Sequence, residues 1–189
     1  MVQFEQVGPG VRPPWWRTAA FVLATAFFAL TSMVFSPLSW AMQHDPSGGT
    51  VLLGGLAMVV AVALPFGLIW RHRYPFLTAL VPAALSLVLP IGNALPLLGL
   101  AALIGRRRGP AVAWTAAAVA LSSTWVTIAD ALAQPRGASF WKAWLGPTDG
   151  RHAAAFDHAP VQVGAIAALG LALAIGAGLL VRSRREAAS

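Results

Sequence analysis

Residues 64–110 decide the fold of this chain and read LPFGLIWRHRYPFLTALVPAALSLVLPIGNALPLLGLAALIGRRRGP. Two short apolar runs lie between the basic clusters Arg71-His72-Arg73 and Arg106-Arg107-Arg108. An arginine in hydrocarbon costs about 2.5 to 3.5 kcal/mol on insertion scales, so both clusters are expected on the same aqueous side. The chain between them therefore goes out and returns. The turn residues Ile91-Gly92-Asn93-Ala94 stand at the far point, which predicts a membrane hairpin.

The composition also indicates an integral membrane protein. Of the 189 residues, 58% are hydrophobic and only 10% are charged, which is not the composition of a soluble domain. The formal net charge of +7 comes mostly from short clusters beside apolar runs, as membrane topology requires, so nucleic-acid binding is not expected. The chain has no cysteine, which excludes disulfides, thiolate metal sites and cysteine nucleophiles.

The apolar runs predict an all-α, polytopic membrane bundle with six transmembrane segments, of which the third and fourth are short. A lead-in (1–16), a membrane domain (17–181) and a basic tail (182–189) follow one another. The predicted spans are 17–38, 51–70, 75–91, 94–105, 111–132 and 161–181. Pro65 should kink the second span near its end. The hairpin arms hold about 12 to 16 apolar residues, so bilayer thinning, arginine snorkelling or burial among neighbouring helices must complete their crossing.

The distribution of basic residues predicts the orientation. Ten arginines fall on the side of the hairpin's basic clusters, whereas Arg136, Lys142 and Arg151 fall on the other side. The positive-inside rule then places both termini in the cytoplasm of a multi-pass cell-membrane protein. The turn-rich segment 39–50 and the loop 134–160 are expected outside, the second with a short interfacial helix.

No enzyme motif occurs in the sequence. Phosphate-binding loops, zinc-protease helices, nucleophile elbows and paired carboxylates inside an apolar run are all missing, so neither catalysis nor a cofactor is expected. Asp130 is the only acidic residue within a predicted span, close to its outer end. An acid within the membrane is a functional candidate, here for proton relay, but a solvated or locally paired carboxylate is the alternative.

A further group of candidates lies in the predicted outer loops. Histidines and carboxylates there could sense pH or bind a metal, because imidazole titrates between about pH 5 and 8. Ordinary solvated loop residues are the alternative interpretation. The candidate outer sensing surface consists of His44, Asp45, Trp141, Trp144, Asp157 and His158.

Small residues recur every four positions along the sixth span. This spacing forms a groove that lets another helix approach closely, either within the protomer or in a homodimer. The candidate helix-packing face consists of Gly164, Ala168, Ala172 and Gly176.

Three stretches carry a family resemblance: LPFGLIWRHRYP at 64–75, LLGLAALIGRRR at 97–108 and LLVRSRRE at 179–186. Their order resembles the N-terminal membrane domain of two-component sensor histidine kinases of high-GC Gram-positive bacteria. The resemblance implies a dimeric sensor module that passes a signal to a cytoplasmic kinase region and a response regulator. The family's phosphoacceptor helix and ATP-binding boxes have no counterpart after Glu186. The chain is therefore expected to be either the membrane portion of a longer kinase or a stand-alone protein with the same membrane fold.

The alternative function is an accessory or permease subunit of a membrane transporter. Short segments that contain proline at membrane depth also surround the substrate sites of transporters. The expected partners are the lipid bilayer and a second copy of the chain or another membrane subunit.

Overall fold

The computed structural model describes residues 15–134, 136–145 and 160–187, which contain helices and turns but no strand. The expected all-α class is confirmed. A 3₁₀ segment (Leu64–His72) continues α3, and a 3₁₀ turn (Arg136–Ala138) precedes α7. The α-helices are α1 (Trp15–Val34), α2 (Pro37–His44), α3 (Gly48–Ala63), α4 (Leu77–Ser86), α5 (Ala94–Ile104), α6 (Pro110–Leu132), α7 (Phe140–Leu145) and α8 (Pro160–Glu186).

Three described helical stretches are long and apolar enough to cross a membrane: 48–71, 110–132 and 164–184. A fourth crossing results if α1 and α2, which are bent by 49° at their junction, form one broken span. Helices α4 and α5 hold 10 and 11 residues, whereas an α-helix needs about 20 residues to cross about 30 Å of hydrocarbon. The helical bundle is therefore consistent with a membrane protein, but helix length supports three or four crossings rather than six.

The first predicted span, 17–38, is broken near its end. The Ser36 hydroxyl caps α2 by accepting a hydrogen bond from the backbone amide of Ser39 at 3.1 Å. Pro37 takes the first position of α2, where its missing N–H group is not needed. The loop expected at 39–50 is therefore wrong at both ends, because α2 extends through His44 and α3 begins at Gly48.

The kink expected at Pro65 takes the form of a change in helix type. Helix α3 gives way to a 3₁₀ segment of nine residues, with Pro65 in its first turn. Proline removes one amide hydrogen from the α-helical ladder, which favours this change.

Two close helix crossings hold α5 in the bundle. A β-carbon at Gly99 would overlap the backbone of Thr78 in α4. A β-carbon at Gly178 in α8 would fall 2.9 Å from the Ala101 carbonyl oxygen and 2.8 Å from Cβ of Ile104. Helices in lipid gain nothing from hydrophobic association, so close backbone packing of this kind carries the contact.

The hairpin contacts α1 at two points, whose separation is about two thirds of the thickness of a bilayer's hydrocarbon core. At one end, Arg71 Nη2 donates a hydrogen bond to Thr18 Oγ1 at 3.2 Å. At the other end, Gly92 has a φ of +71°, and a β-carbon there would fall 2.5 Å from Ser32 Oγ. Thr18 and Ser32 are fourteen residues apart on α1, which is about 21 Å at 1.5 Å per residue. The expected turn at 91–94 is confirmed. We call the end with Arg71, Arg106, Arg107, Arg108 and Arg182 the arginine end, and the opposite end the distal end.

Two adjacent serines of α6 provide a matched test of this packing. The Ser122 hydroxyl lies 2.9 Å from the Ser86 hydroxyl and donates to the Ala83 carbonyl oxygen at 2.7 Å. The buried Ser123 hydroxyl has no hydrogen-bond partner within the described residues. We expect Ser122→Ala to lower the free energy of unfolding by about 0.6 kcal/mol, the average for such bonds between membrane helices, and Ser123→Ala not to lower it. Unfolding of the purified protein in mixed micelles measures both, and equal losses would contradict the assigned bonds.

Candidate functional site

A cavity of about 540 Å³ lies at the distal end, between α1, the hairpin turn, α6, α7 and α8. Pockets that bind small organic ligands have volumes of about 300 to 1,000 Å³. The wall is mostly apolar and includes Phe28 of α1, Trp125 of α6, and Leu169 and Leu173 of α8. Because Leu169 and Leu173 are 62% and 65% exposed, the cavity opens sideways onto the apolar surface of the bundle.

The hydroxyl and amide side chains of the cavity wall fall into two groups. Ser36, Ser86 and Thr127 each donate a hydrogen bond to a carbonyl oxygen three or four residues earlier. The Ser32 hydroxyl and the Asn93 amide have no hydrogen-bond partner among the described residues. These two uncharged groups can therefore bond a ligand without breaking an existing contact.

The Asp130 carboxylate holds α7 against the end of α6. It accepts hydrogen bonds from the Ser139 hydroxyl at 2.8 Å and from the backbone amides of Phe140 and Trp141 at 2.7 and 3.2 Å. A carboxylate at the start of a helix satisfies amides that have no partner inside that helix, and the helix dipole favours its charge. Asp130 is thus a locally paired carboxylate, which is one of the two interpretations of the sequence. We call its three hydrogen bonds to Ser139, Phe140 and Trp141 the Asp130 clamp.

A lysine fixes α7 from its buried side. Lys142 Nζ donates a hydrogen bond to the Ala133 carbonyl oxygen, just beyond α6, at 3.1 Å. The Phe140 and Trp141 rings meet edge to face with centroids 5.0 Å apart, and both line the cavity. The short helix expected in this loop is confirmed, and it forms one wall of the cavity.

We expect Asp130→Asn to release α7, because an amide is a weaker acceptor than a carboxylate for these three hydrogen bonds. The reporter is Ala138→Cys, since Ala138 is fully buried beside α7 and the chain has no other cysteine. Maleimide should modify this cysteine about 10-fold faster in the Asp130→Asn background, which corresponds to about 1.4 kcal/mol. Asp45→Asn is the control, because Asp45 is an exposed acid outside the clamp. Equal rates in the two backgrounds would contradict the clamp.

The structure brings the candidate outer sensing surface together only in part. The His44 ring stacks on Trp40 with centroids 4.2 Å apart, and its Nδ1 lies 2.9 Å from the Trp40 carbonyl oxygen. Asp45 is exposed beside it, whereas Trp141 lines the cavity. These residues therefore contribute to different local structures.

The other members of that surface cannot be placed. Asp157, His158 and the side chain of Trp144 lie outside the described residues. Within the described ranges, no group of three or more histidine or carboxylate side chains is arranged to hold a metal ion.

The candidate packing face of α8 points away from the rest of the protomer. No atom lies within 4 Å of a β-carbon built at Gly164 or Gly176. The contacts within the protomer use a second small-residue face that includes the buried Ala174 and Gly178. Sequence reasoning missed this second face, although Gly170, Ala174 and Gly178 also recur every four residues. The residues of the outward face, all exposed, are Gly164, Ala168, Ala172 and Gly176.

An ion-paired cluster ties the end of α8 to the turn that follows α5. The Glu186 carboxylate pairs with Arg108 and accepts a hydrogen bond from Arg182 Nε at 2.9 Å. The Arg182 hydrogen bond and the Arg108 charge hold the pKa of Glu186 below its usual range. The attachment is therefore fully present at pH values above the usual glutamate pKa. It is lost only as the pH falls through the lowered pKa of Glu186.

The candidate site thus consists of a distal cavity and an ion-paired anchor, and α8 contributes residues to both. The cavity has the size and the apolar wall of a ligand-binding pocket. The chain matches no protein-family model, no curated protein and no solved structure.

Proposed function

We propose that this protein is a membrane-embedded sensory module of a two-component type of signal-transduction system, in which the distal cavity receives the signal and α8 transmits it. The observation that carries the proposal is the continuity of α8. Residues 166–173 contribute to the cavity wall, and Arg182 and Glu186 belong to the ion-paired cluster at the arginine end. One unbroken helix of 27 residues, about 40 Å long, therefore contacts both regions.

The packing of α8 suggests how occupation of the cavity acts on it. Near Gly178 the helix lies against the backbone of α5, whereas Leu169 and Leu173 border open space. A ligand that contacts those leucines acts on the part of α8 that borders the cavity. The ligand shifts α8 only if it binds the protein more tightly with the helix in one placement than in another.

We further propose that the chain lies in the cell membrane with six crossings and cytoplasmic termini. The arginine clusters favour this orientation by the positive-inside rule. The exposed tryptophans fit two membrane interfaces, a position that their amphipathic rings prefer. Those at the arginine end are Trp15, Trp16, Trp70 and Trp114, and those at the distal end are Trp40 and Trp125.

Accessibility labelling in intact cells tests the topology. Asn93→Cys at the hairpin turn should react with a membrane-impermeant maleimide added outside, because the turn lies at the distal end. Ser183→Cys, which is exposed near the end of α8, should react only after lysis. The chain has no native cysteine, so each signal comes from one position. An Asn93→Cys variant that labels only after lysis would refute the outward hairpin.

Spin labels at Ser183→Cys test the coupling between the cavity and the end of α8. Ala129 is exposed and lines the cavity, so Ala129→Phe should place a ring where a ligand binds. We expect this change to shift the label-to-label distance within a homodimer by about 1 to 2 Å, the scale of helix shifts at subunit interfaces.

The matched control is Ala117→Phe, which makes the same substitution at an exposed position of α6 outside the cavity wall. A distance that does not differ between the two phenylalanine variants would refute the coupling. The absence of any dipolar signal between two protomers in a native-lipid nanodisc would refute the homodimer.

Purification of the cross-linked protein from its own membranes separates this proposal from a transporter subunit. A sensory module should retain a kinase region or a response regulator, whereas a transporter subunit should retain an ATPase or a permease. The open face of α8 is available to a second membrane helix in either assembly.

A further inference from the structure

The cavity begins near the distal ends of the helices and extends into the apolar part of the bundle. Its wall follows α1 and the residue after it from Phe28 to Phe35, and α8 from Ile166 to Leu173. Each interval covers seven residues, or about 10 Å of helix, which is about two thirds of one leaflet's hydrocarbon thickness. A molecule that fills the cavity therefore lies at the depth of the lipid tails and also reaches the interface.

The sideways opening indicates the route of entry. Leu169 and Leu173 border the cavity and are also exposed on the surface of the bundle. At the interface, the Asp130 clamp holds Phe140 and Trp141 in the wall. A ligand can therefore enter from the lipid phase without displacing α7, which favours a molecule that already partitions into the membrane.

The charges of the wall indicate which head group the ligand carries. Among the described residues that line the cavity, Asp130 is the only charged one, and three donors already occupy its oxygens. An anionic head group would find no cation in that part of the wall. A cationic head group would have to compete with those donors, and a charge without a partner in this setting costs several kcal/mol, on the order of the values for buried ions.

Two uncharged polar groups at the hairpin turn can both donate to and accept from a ligand. The Asn93 amide offers both donors and an acceptor, and the Ser32 hydroxyl offers one donor and two lone pairs. The Ser32 hydroxyl lies close to the Gly92 backbone, and Asn93 is the next residue in the chain. Both polar side chains therefore lie where α1 contacts the hairpin turn. A hydroxyl, ester or amide head group matches them.

We propose that the distal cavity binds a neutral, single-chain amphiphile from the outer leaflet, with its chain between α1 and α8 and its uncharged head group bonded to Asn93 and Ser32. This assignment names the chemical class of the signal and in that sense rests on the proposed sensory role. Binding itself is measured without any signalling readout.

Quenching of tryptophan fluorescence provides the binding test on the full chain in detergent micelles. The probe is a monoacylglycerol with a dibrominated stearoyl chain, because bromine quenches an indole that it touches. We expect a saturable component of quenching that decreases in Trp125→Phe and disappears in the double variant Trp125→Phe/Trp141→Phe, since both indoles line the cavity. The component should persist in Trp114→Phe, because Trp114 is also exposed to detergent but lies at the arginine end.

Two further pairs of measurements make the test specific. Ala129→Phe should abolish the saturable component and Ala117→Phe should retain it, because only Ala129 lines the cavity. Asn93→Ala should weaken binding about 10-fold, as expected for the loss of one or two hydrogen bonds to a ligand. The same brominated chain presented as a free fatty acid or as a trimethylammonium amphiphile should bind at least about 10-fold more weakly than the monoacylglycerol.

The outcomes that would overturn the inference are distinct. Quenching that never saturates, or that is equal in Ala129→Phe and Ala117→Phe, would show ordinary contact with detergent only. Equal affinity for the neutral and the charged probes would refute the assignment of the head group. Saturable binding together with an unchanged Ser183→Cys distance would support this inference and refute the sensory role, so the two proposals can fail separately.

Discussion

The close approach of α5 to α4 and α8 is the contact on which the rest of the structure depends. In lipid, apolar side chains gain nothing by leaving the solvent, so helices associate through close packing and a few hydrogen bonds. Gly99 admits the backbone of α4, and Gly178 admits the backbone of α5. The core cluster of Ala79, Ala83, Leu100, Ile104 and Val119 forms around these crossings. A short hairpin can therefore stay inside the bundle although its own helices are too short to cross a bilayer alone.

The cavity follows from the difference in length between this hairpin and its neighbours. Helices α6 and α8 have 23 and 27 residues, whereas α5 has 11. Where the hairpin turns back at Gly92, the longer helices continue and leave space beside the turn. The Asp130 carboxylate and the buried Lys142 then bring α7 against this space. A polar clamp at the interface thus completes a pocket whose walls are otherwise apolar.

The sequence predicts the helices better than their contacts. Apolar run length and the arginine clusters predict the helical class, the hairpin turn, and the bounds of α5 and α6 to within one residue, but not the number of crossings that helix length supports. Helix α2 was not foreseeable from the turn-rich composition that begins at Ser39, because its cap, Ser36, lies within the preceding apolar run. Helix α8 has two stripes of small residues, and both recur every four positions. Periodicity alone cannot show which stripe packs against α5, which in the structure is the stripe that ends at Gly178. One feature of the sequence pointed to the Asp130 clamp: Ser139 precedes a short aromatic segment and could begin a helix. No known motif, however, pairs a carboxylate with a serine nine residues later.

The 3₁₀ segment after α3 makes this stretch longer than an α-helix with the same number of residues would be. Runs of 3₁₀ helix longer than three or four residues are uncommon, and this one has nine. Each residue advances about 2.0 Å in 3₁₀ geometry and about 1.5 Å in α geometry, so conversion of the segment would shorten it by about 4 Å. Arg71 is anchored to Thr18 of α1 at the end of this segment. Such a conversion would therefore draw Arg71, and Thr18 of α1 with it, toward α3 by most of one helical turn.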